Sequence, residues 1–230
     1  MAELDTSRVS TAGLTIDRVT KRFGEQTAVD SLSLTINPGE FVALLGPSGC
    51  GKTTMLRMLA GFETINAGSI HLGNRTLASA DTHIPPEQRN MAMVFQSYAL
   101  WPHMSVADNV GYPVKLRGLR GAAYHQKVQQ ALALVELDAY ADRMPQALSG
   151  GQRQRVALAR CLVSDPSVVL LDEPLANLDR HLRATMEHSF RDFHQRTGAT
   201  LVYVTHDQTE AMALADKIAV MKAGKLVQWG

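Results

Sequence analysis

The sequence has almost no excess of charge of either sign. Its 230 residues include 23 Lys and Arg and 22 Asp and Glu, which gives a formal net charge of +1. A domain that binds nucleic acid through its phosphates usually shows a basic excess or a clustered basic face. The charge balance gives no support for such a partner, and we expect the protein to bind no nucleic acid.

Cysteines and long apolar runs are also scarce. Two cysteines, Cys50 and Cys161, are too few for a disulfide framework in a chain of this length, and they indicate a reducing compartment. No apolar run approaches the roughly 18 residues of a membrane-spanning helix, and residues 1–10 lack the apolar region of a signal peptide. If the protein acts at a membrane, we expect other subunits to hold it there.

The residues that are present suit one α/β domain. Hydrophobic residues make up 45% of the chain, enough for a sizeable core. Residues 14–19 and 32–36 alternate apolar with polar positions, as antiparallel strands with one exposed face do. Farther along, short apolar strands alternate with helical patterns. This order predicts a mainly parallel sheet with helices on both faces, preceded by an N-terminal antiparallel β subdomain.

The middle of the chain has a helical pattern. Residues 106–149 are mostly helical in periodicity, and we predict breaks at Gly111, Pro113, Gly118, Gly121 and Pro145. This segment predicts a helical subdomain, at about residues 97–163, inserted in the core of a single domain that comprises residues 1–230.

A glycine-rich loop connects an apolar strand, residues 41–45, to a helix predicted at residues 51–60. It fits the pattern G-x-x-x-x-G-K-[ST] and comprises Gly46, Pro47, Ser48, Gly49, Cys50, Gly51, Lys52 and Thr53, followed by Thr54. Gly49 and Gly51 allow backbone N–H groups to converge on an anion at the start of a helix. Lys52 supplies a cation for the β and γ phosphates, and Thr53 an oxygen ligand for Mg²⁺. The loop alone leaves kinases, GTPases and ATPases open.

Two carboxylates follow the apolar strand of residues 168–171. At the end of a buried strand, Asp172 can hold the hydration shell of Mg²⁺. We expect the Glu173 side chain to point the other way, because side chains alternate along a strand, and to act as a general base on a water molecule. Without the glycine-rich loop, the pair is equally typical of solvated residues that open a turn before Pro174.

A second candidate anion site precedes the helix predicted at residues 153–163. It consists of Leu148, Ser149, Gly150, Gly151 and Gln152. Ser149 can cap the helix, and the two glycines leave backbone amides accessible. Taken alone, this segment is as typical of an ordinary capped helix as of a ligand site.

In this order, the motifs resemble those of the ABC-transporter ATPases, and the resemblance covers nearly the whole chain. Leu-Ser-Gly-Gly-Gln is the signature of that family. The resemblance implies ATP and Mg²⁺ as ligands and a head-to-tail homodimer, in which each ATP lies between the P-loop of one subunit and the signature of the other. Ser149 and Gly151 would then contact the γ-phosphate of the nucleotide bound by the partner.

Four more positions match the family. The resemblance implies that Gln96 lies near Mg²⁺ and the attacking water, that Asp179 contacts the opposite subunit, that His206 senses the γ-phosphate, and that Phe23 stacks on adenine. Each has a simpler alternative: an ordinary polar residue, a helix cap, a structural histidine and a core phenylalanine. The family often has Tyr or Trp in place of Phe23, and Ser in place of Ala176.

Residues 173–179 and 203–212 look most like the importer branch of the family, which takes up sugars, polyamines or ferric iron. That resemblance implies two integral-membrane permease subunits, a solute-binding protein and a position on the cytoplasmic face of the inner or plasma membrane. It also implies a C-terminal regulatory domain, which we expect to lie outside residues 1–230. Tyr98 and Trp101 would border the surface that receives a coupling helix from the permease, although Trp101 suits the interior of the helical subdomain equally well.

Two other classes of ABC protein fit the sequence less well than an importer does. Non-transport members that act in DNA repair insert a long coiled coil between P-loop and signature, whereas residues 52–149 show no sustained heptads. Members that act in translation carry two cassettes on one chain, whereas this sequence has one. A regulatory, non-catalytic cassette would be expected to lack Glu173 or His206.

Overall fold

A computed structural model describes residues 13–95, 97–176 and 180–230. Gln96 and Asp179, two of the site residues expected from the family resemblance, lie outside the described residues. Within those ranges, no helix combines the length and the apolar composition that crossing a membrane requires.

Ten strands, six α-helices and three single-turn 3₁₀ helices make up the described fold. The strands are β1 (Leu14–Phe23), β2 (Gln26–Ile36), β3 (Phe41–Leu45), β4 (Ala67–Leu72), β5 (Arg75–Ala78), β6 (Met91–Val94), β7 (Val168–Asp172), β8 (Thr200–Thr205), β9 (Lys217–Lys222) and β10 (Lys225–Trp229). The helices are α1 (Lys52–Ala60), α2 (Val106–Leu116), α3 (Gly121–Leu134), α4 (Gly150–Leu162), α5 (Arg180–Thr197) and α6 (Gln208–Leu214).

The N-terminal region forms a four-stranded sheet in the order β2-β1-β4-β5, in which every pairing is antiparallel. Its inward positions, such as Leu14, Ile16 and Ile70, are buried. The predicted antiparallel subdomain is confirmed, although β1 and β2 are longer than their alternating segments. The short strand β5 was not predicted, since only Leu77 and Ala78 give it an apolar pattern.

The second sheet has the strand order β10-β9-β3-β8-β7-β6. Its pairings are parallel except for the antiparallel pair of β9 and β10. The central strands are buried on both faces: Phe41 and Tyr203 pack toward the helical subdomain, whereas Val42 and Val202 pack toward α1 and the first sheet. The predicted mainly parallel sheet is therefore confirmed, and this double burial explains why β3, and β7 up to Asp172, are continuously apolar.

The helical subdomain is present, but two of its predicted breaks are wrong. Helix α2 continues through Gly111 and Pro113. A Cβ atom at Gly111 would lie 2.2 Å from the hydroxyl of Tyr124 on α3, so this glycine permits close helix packing and does not end the helix. Pro113 lies in the last turns of α2, where the loss of one backbone N–H removes only one helical hydrogen bond.

A buried arginine closes the end of the P-loop helix α1. Arg89 is 0% exposed, and its guanidinium donates to the carbonyls of Met58 at 2.6 Å and Leu59 at 2.9 Å. It also donates to the carbonyls of Ile84 at 2.6 Å and Leu77 at 3.3 Å. Burial lowers the pKa of Arg89 to about 10. The positive charge lies at the negative end of the helix dipole and fixes α1 against the first sheet.

Replacing Arg89 with Met should lower the free energy of unfolding by about 3 kcal/mol, because the four carbonyls would lose their hydrogen bonds to the guanidinium. The carbonyls of Met58 and Leu77 would each keep one other donor, the N–H groups of Gly61 and Ile84. Urea unfolding measures the change. Arg75→Met is the matched control, since the exposed Arg75 donates to a single carbonyl, that of Gln88, at 2.9 Å. We expect the control to change stability by less than about 0.5 kcal/mol. Equal losses in the two variants would contradict the assigned role of Arg89.

Candidate nucleotide-binding site

Three glycines shape the loop between β3 and α1. A Cβ atom at Gly46 would lie 2.2 Å from the carbonyl oxygen of Met221, and one at Gly51 would lie 2.3 Å from that of Ala28. Gly49 and Gly51 adopt φ values of 77° and 103°, in the left-handed region that glycine favours. The loop can therefore turn tightly into the helix only with glycine at these positions.

The ammonium group of Lys52 lies inside this loop. Lys52 is 4% exposed, and its Nζ donates to the carbonyls of Gly46 at 2.8 Å and Pro47 at 3.0 Å. Pro47, Ser48 and Gly49 are themselves exposed. A cation surrounded by neutral carbonyls at a helix start can exchange them for anionic oxygens, which form stronger charge-assisted hydrogen bonds.

The hydroxyl of Thr53 donates to Oδ1 of Asp172 at 3.0 Å. This bond joins the first turn of α1 to the end of β7. Burial raises the pKa of Asp172, and the nearby charge of Glu173 adds to the effect, while the Thr53 hydrogen bond and the charges of Arg57 and Lys52 partly offset it. Two oxygens of the type that Mg²⁺ prefers thus lie beside the phosphate loop.

Glu173 lies just past the strand, and β7 ends at Asp172. Its backbone has φ of 43°, and its N–H donates to the carbonyl of Val204 at 3.1 Å. The prediction that alternation along the strand turns the two carboxylates apart was therefore wrong, because Glu173 follows the strand with a left-handed backbone conformation. Oε2 of Glu173 lies 3.5 Å from Nδ1 of His206, a residue more than half exposed at the end of β8.

The signature segment starts a helix earlier than predicted. Helix α4 begins at Gly150, so Gly150, Gly151 and Gln152 form its first turn. Ser149 Oγ accepts from the N–H of Gln152 at 3.2 Å, while Oε1 of Gln152 accepts from the N–H of Ser149 at 2.9 Å. The predicted cap by Ser149 is confirmed, and it is a reciprocal capping box.

The structure brings together only some of the site residues that the sequence predicts. The P-loop follows β3, Glu173 follows Asp172 at the end of β7, and His206 follows β8. All of them therefore lie at the same edge of the sheet. The signature lies instead on α4, which packs against α2, α3 and β6 in the helical subdomain.

Phe23 is not a core residue. Its side chain is 48% exposed at the end of β1, which excludes the alternative of an ordinary buried phenylalanine. The ammonium group of Lys21 lies 4.8 Å from the centre of the ring, and Glu63 holds that ammonium at 3.0 Å. Lys21 was not among the predicted site residues, because no motif marks it. About half of Phe23 remains exposed beside Lys21, and stacking on adenine stays a prediction.

The family assignment follows from a comparison of the sequence with known families. A family model described as "ABC transporter" matches residues 29–176. The chain belongs to the ABC transporter family. The family resemblance of the motifs is thereby confirmed.

Two curated relatives of this ABC cassette are about half identical to it. The diacetylchitobiose uptake system ATP-binding protein MsiK of Streptomyces coelicolor is 52% identical over 219 residues, which cover 94% of this chain and 57% of the relative. The maltose/maltodextrin import ATP-binding protein MalK of Escherichia coli K12 is 51% identical over 219 residues, which cover 95% of this chain and 58% of the relative. The chain thus spans less than two thirds of the length of these relatives.

A solved structure of another cassette has the same fold. The dimeric structure of a post-hydrolysis state of the ATP-binding cassette MJ0796, bound to ADP and Pi, matches with a TM-score of 0.81 at 30% identity. The match covers 94% of this chain and 97% of that one. The fold class expected from the sequence is confirmed.

A groove lies between the sheet and the helical subdomain of the cassette. Its volume is about 330 Å³, and its lining includes Phe95, Ala99, Trp101 and Arg160. Arg160 donates to the carbonyl of Ala99 at 2.7 Å, and its guanidinium lies 4.8 Å from the Trp101 ring centre. Trp101 therefore packs within the helical subdomain and also lines the groove, and its contact with a coupling helix stays a prediction.

Asp172→Asn should stabilise the nucleotide-free cassette at neutral pH. The pKa of Asp172 is raised in the folded state. Its carboxyl group therefore contributes fully to the free energy of unfolding at pH values below its unfolded-state pKa, and this contribution is lost as pH rises through the folded-state pKa. The variant should therefore unfold at a higher temperature than wild type at pH 8, with a smaller difference at pH 5. Thermal unfolding measures both, with exposed Asp81→Asn as the control. A lower unfolding temperature at pH 8 would show that ionised Asp172 stabilises the fold.

Proposed function

We propose that this cassette binds Mg-ATP, closes as a head-to-tail homodimer, and hydrolyses ATP to drive solute uptake through separate membrane subunits. The observation that carries the proposal is the convergence of a phosphate loop, the Thr53–Asp172 bond at 3.0 Å and the Glu173–His206 pair at 3.5 Å at one edge of a parallel sheet. Such edges are where open α/β sheets bind their ligands.

The nucleotide would occupy the loop of residues 46–54, at the N-terminus of α1. Lys52 would exchange its carbonyl partners for phosphate oxygens, and Phe23 would stack on the adenine ring. Thr53 and Asp172 suit Mg²⁺ because both offer oxygen atoms beside the loop, with Gln96 as a further ligand by family resemblance. When bound there, Mg²⁺ would neutralise charge on the phosphates that are being transferred.

Glu173 is the proposed general base. Its carboxylate is mostly covered by protein, and the partner that holds it is the imidazole of His206. A carboxylate in this position can orient and polarise a water molecule, which is the main task of the protein in phosphoryl transfer. His206 would contact the γ-phosphate and keep Glu173 aligned.

The proposed site is complete only when a second copy contributes. The first turn of α4, capped by Ser149, would face the γ-phosphate bound by the partner, with the amides of Gly150 and Gly151 and the side chain of Gln152 around it. Asp179 would contact the opposite subunit. The similarity to dimeric cassettes supports this arrangement.

We further propose that the whole protein serves an importer of oligosaccharides on the cytoplasmic face of the inner or plasma membrane. The names of two relatives, which concern uptake of diacetylchitobiose and of maltose or maltodextrin, support this class of substrate. Two permease subunits and a solute-binding protein would select the sugar. Residues 1–230 would form one ATPase domain, with the helical subdomain of about residues 97–163 contacting the permease through the groove.

Glu173→Gln should trap the dimer. The substitution keeps the shape of the side chain and removes the base, so turnover should fall by about 10²–10⁴-fold. Size-exclusion chromatography should show a dimer with Mg-ATP and a monomer with ADP. Adding Ser149→Ala to this variant is the control, and it should weaken the ATP-dependent dimer. A double variant that dimerises as well as Glu173→Gln would contradict a role for Ser149 in the partner's site.

Replacing both Tyr98 and Trp101 with Ala should uncouple transport from hydrolysis. Loss of aromatic anchors worth about 2 kcal/mol would reduce sugar uptake by about tenfold or more, while basal ATP hydrolysis should persist. Uptake in cells and hydrolysis by the purified chain measure the two effects. The control is the double change to Phe, which retains a ring over Arg160. If the Ala variant lost ATP hydrolysis and the Phe variant kept it, a purely structural role of Tyr98 and Trp101 would be favoured.

A further inference from the structure

A buried carboxylate lies behind the site, outside the set of motif residues. Glu210, on α6, is 5% exposed. Its Oε2 accepts from the hydroxyl of Tyr203 at 2.8 Å and from the hydroxyl of Thr205 at 2.7 Å. Both donors are on β8, the strand that ends immediately before His206. A carboxylate is costly to bury unless it is paired, so its partners define what it does.

Thr205 connects this carboxylate to the turn that carries His206. Its hydroxyl donates to Glu210 and accepts from the N–H of Asp207 at 3.0 Å. His206 lies between Thr205 and Asp207 in the chain, so the hydroxyl spans the turn that carries the imidazole. Thr205 is 2% exposed, and this bridge is shielded from competing water.

A guanidinium on α5 holds the same turn from the other side. NH1 of Arg183 lies 3.4 Å from Oδ2 of Asp207 and 3.6 Å from Oε1 of Glu210. Asp207 also caps α6, since its Oδ1 accepts from the N–H groups of Thr209 at 2.7 Å and Glu210 at 3.3 Å. The residues on either side of His206 are thus each bonded to the buried network.

The electrostatics of the network agree with its geometry. Burial alone would raise the pKa of Asp207, but the backbone donors at the start of α6 and the charge of Arg183 lower it. Burial and the charge of Glu210 raise the pKa of Glu187, which faces the network from α5. The guanidinium of Arg183 thus lies within ion-pair distance of both Asp207 and Glu210.

We propose that Thr205 and Glu210 are positioning residues for His206. The carboxylate of Glu210 fixes the Thr205 hydroxyl, and that hydroxyl fixes the turn, so that the imidazole stays beside Glu173. The inference rests on the proposed role of His206 in hydrolysis. A role in stability alone would not require such an arrangement, since apolar side chains often stabilise a core as well as a buried ion pair does.

Two hydroxyl deletions separate positioning from packing. Thr205→Val and Tyr203→Phe each remove one donor to Glu210 Oε2 and keep nearly the same shape, but only the Thr205 hydroxyl also contacts the turn. Steady-state hydrolysis of Mg-ATP by the purified chain should show kcat about 10–100-fold lower in Thr205→Val, as small misplacements of reacting groups produce. Its KM should stay within about twofold, because the transition state alone is affected. Tyr203→Phe should keep kcat within about threefold, and Thr205→Ser should restore it.

The His206→Ala background distinguishes this inference from the proposed function. If Thr205 acts through His206, then Thr205→Val should cause no further loss of kcat when His206 is already Ala. Multiplicative losses in the double variant, or equal losses in Thr205→Val and Tyr203→Phe, would overturn the positioning role. Wild-type kcat in His206→Ala alone would instead overturn the proposed role of His206, and the positioning role with it.

Discussion

Parallel pairing of β3 with β8 and of β8 with β7 is the constraint on which the rest of the structure depends. Leu45 pairs with Thr205, so the P-loop and His206 leave the sheet side by side. Asp172 pairs with Val204, so Glu173 leaves β7 beside Thr205, one residue before His206. A one-residue slip in either pairing would turn side chains to the other face and separate these groups. The chemistry at the edge therefore depends on apolar contacts within the sheet that take no part in it.

Much of this edge could be predicted from the sequence, because phosphate binding and metal ligation need particular residue types at fixed spacing. The glycines of the loop, Lys52, Thr53 and Asp172 belong to that class. The path of α2 could not be predicted, because the role of Gly111 depends on Tyr124 of another helix. Glu210 was missed for a related reason. Asp207 and Glu210 have the spacing of a capping box, yet the Glu210 side chain turns inward to two residues of β8.

Buried arginines have a common function in this fold. Arg89 binds the carbonyls at the end of α1, and Arg160 binds those of Tyr98 and Ala99, which adopt positive φ values of 60° and 45°. In both cases a planar group with several donors binds two or more backbone carbonyl oxygens at once. Burial lowers the pKa of both side chains. These arginines hold the P-loop helix and the rim of the groove in place, and no local sequence pattern marks them.

The reciprocal hydrogen bonds between Ser149 and Gln152 have a consequence for association. They fix two side chains that would otherwise have to be ordered when another surface meets this helix end. Immobilising a side chain at an interface costs about 0.5–1.5 kcal/mol of conformational entropy. In this protein that entropy is lost during folding of the single chain. In the proposed dimer, two cassettes could therefore approach and separate without ordering these two side chains each time.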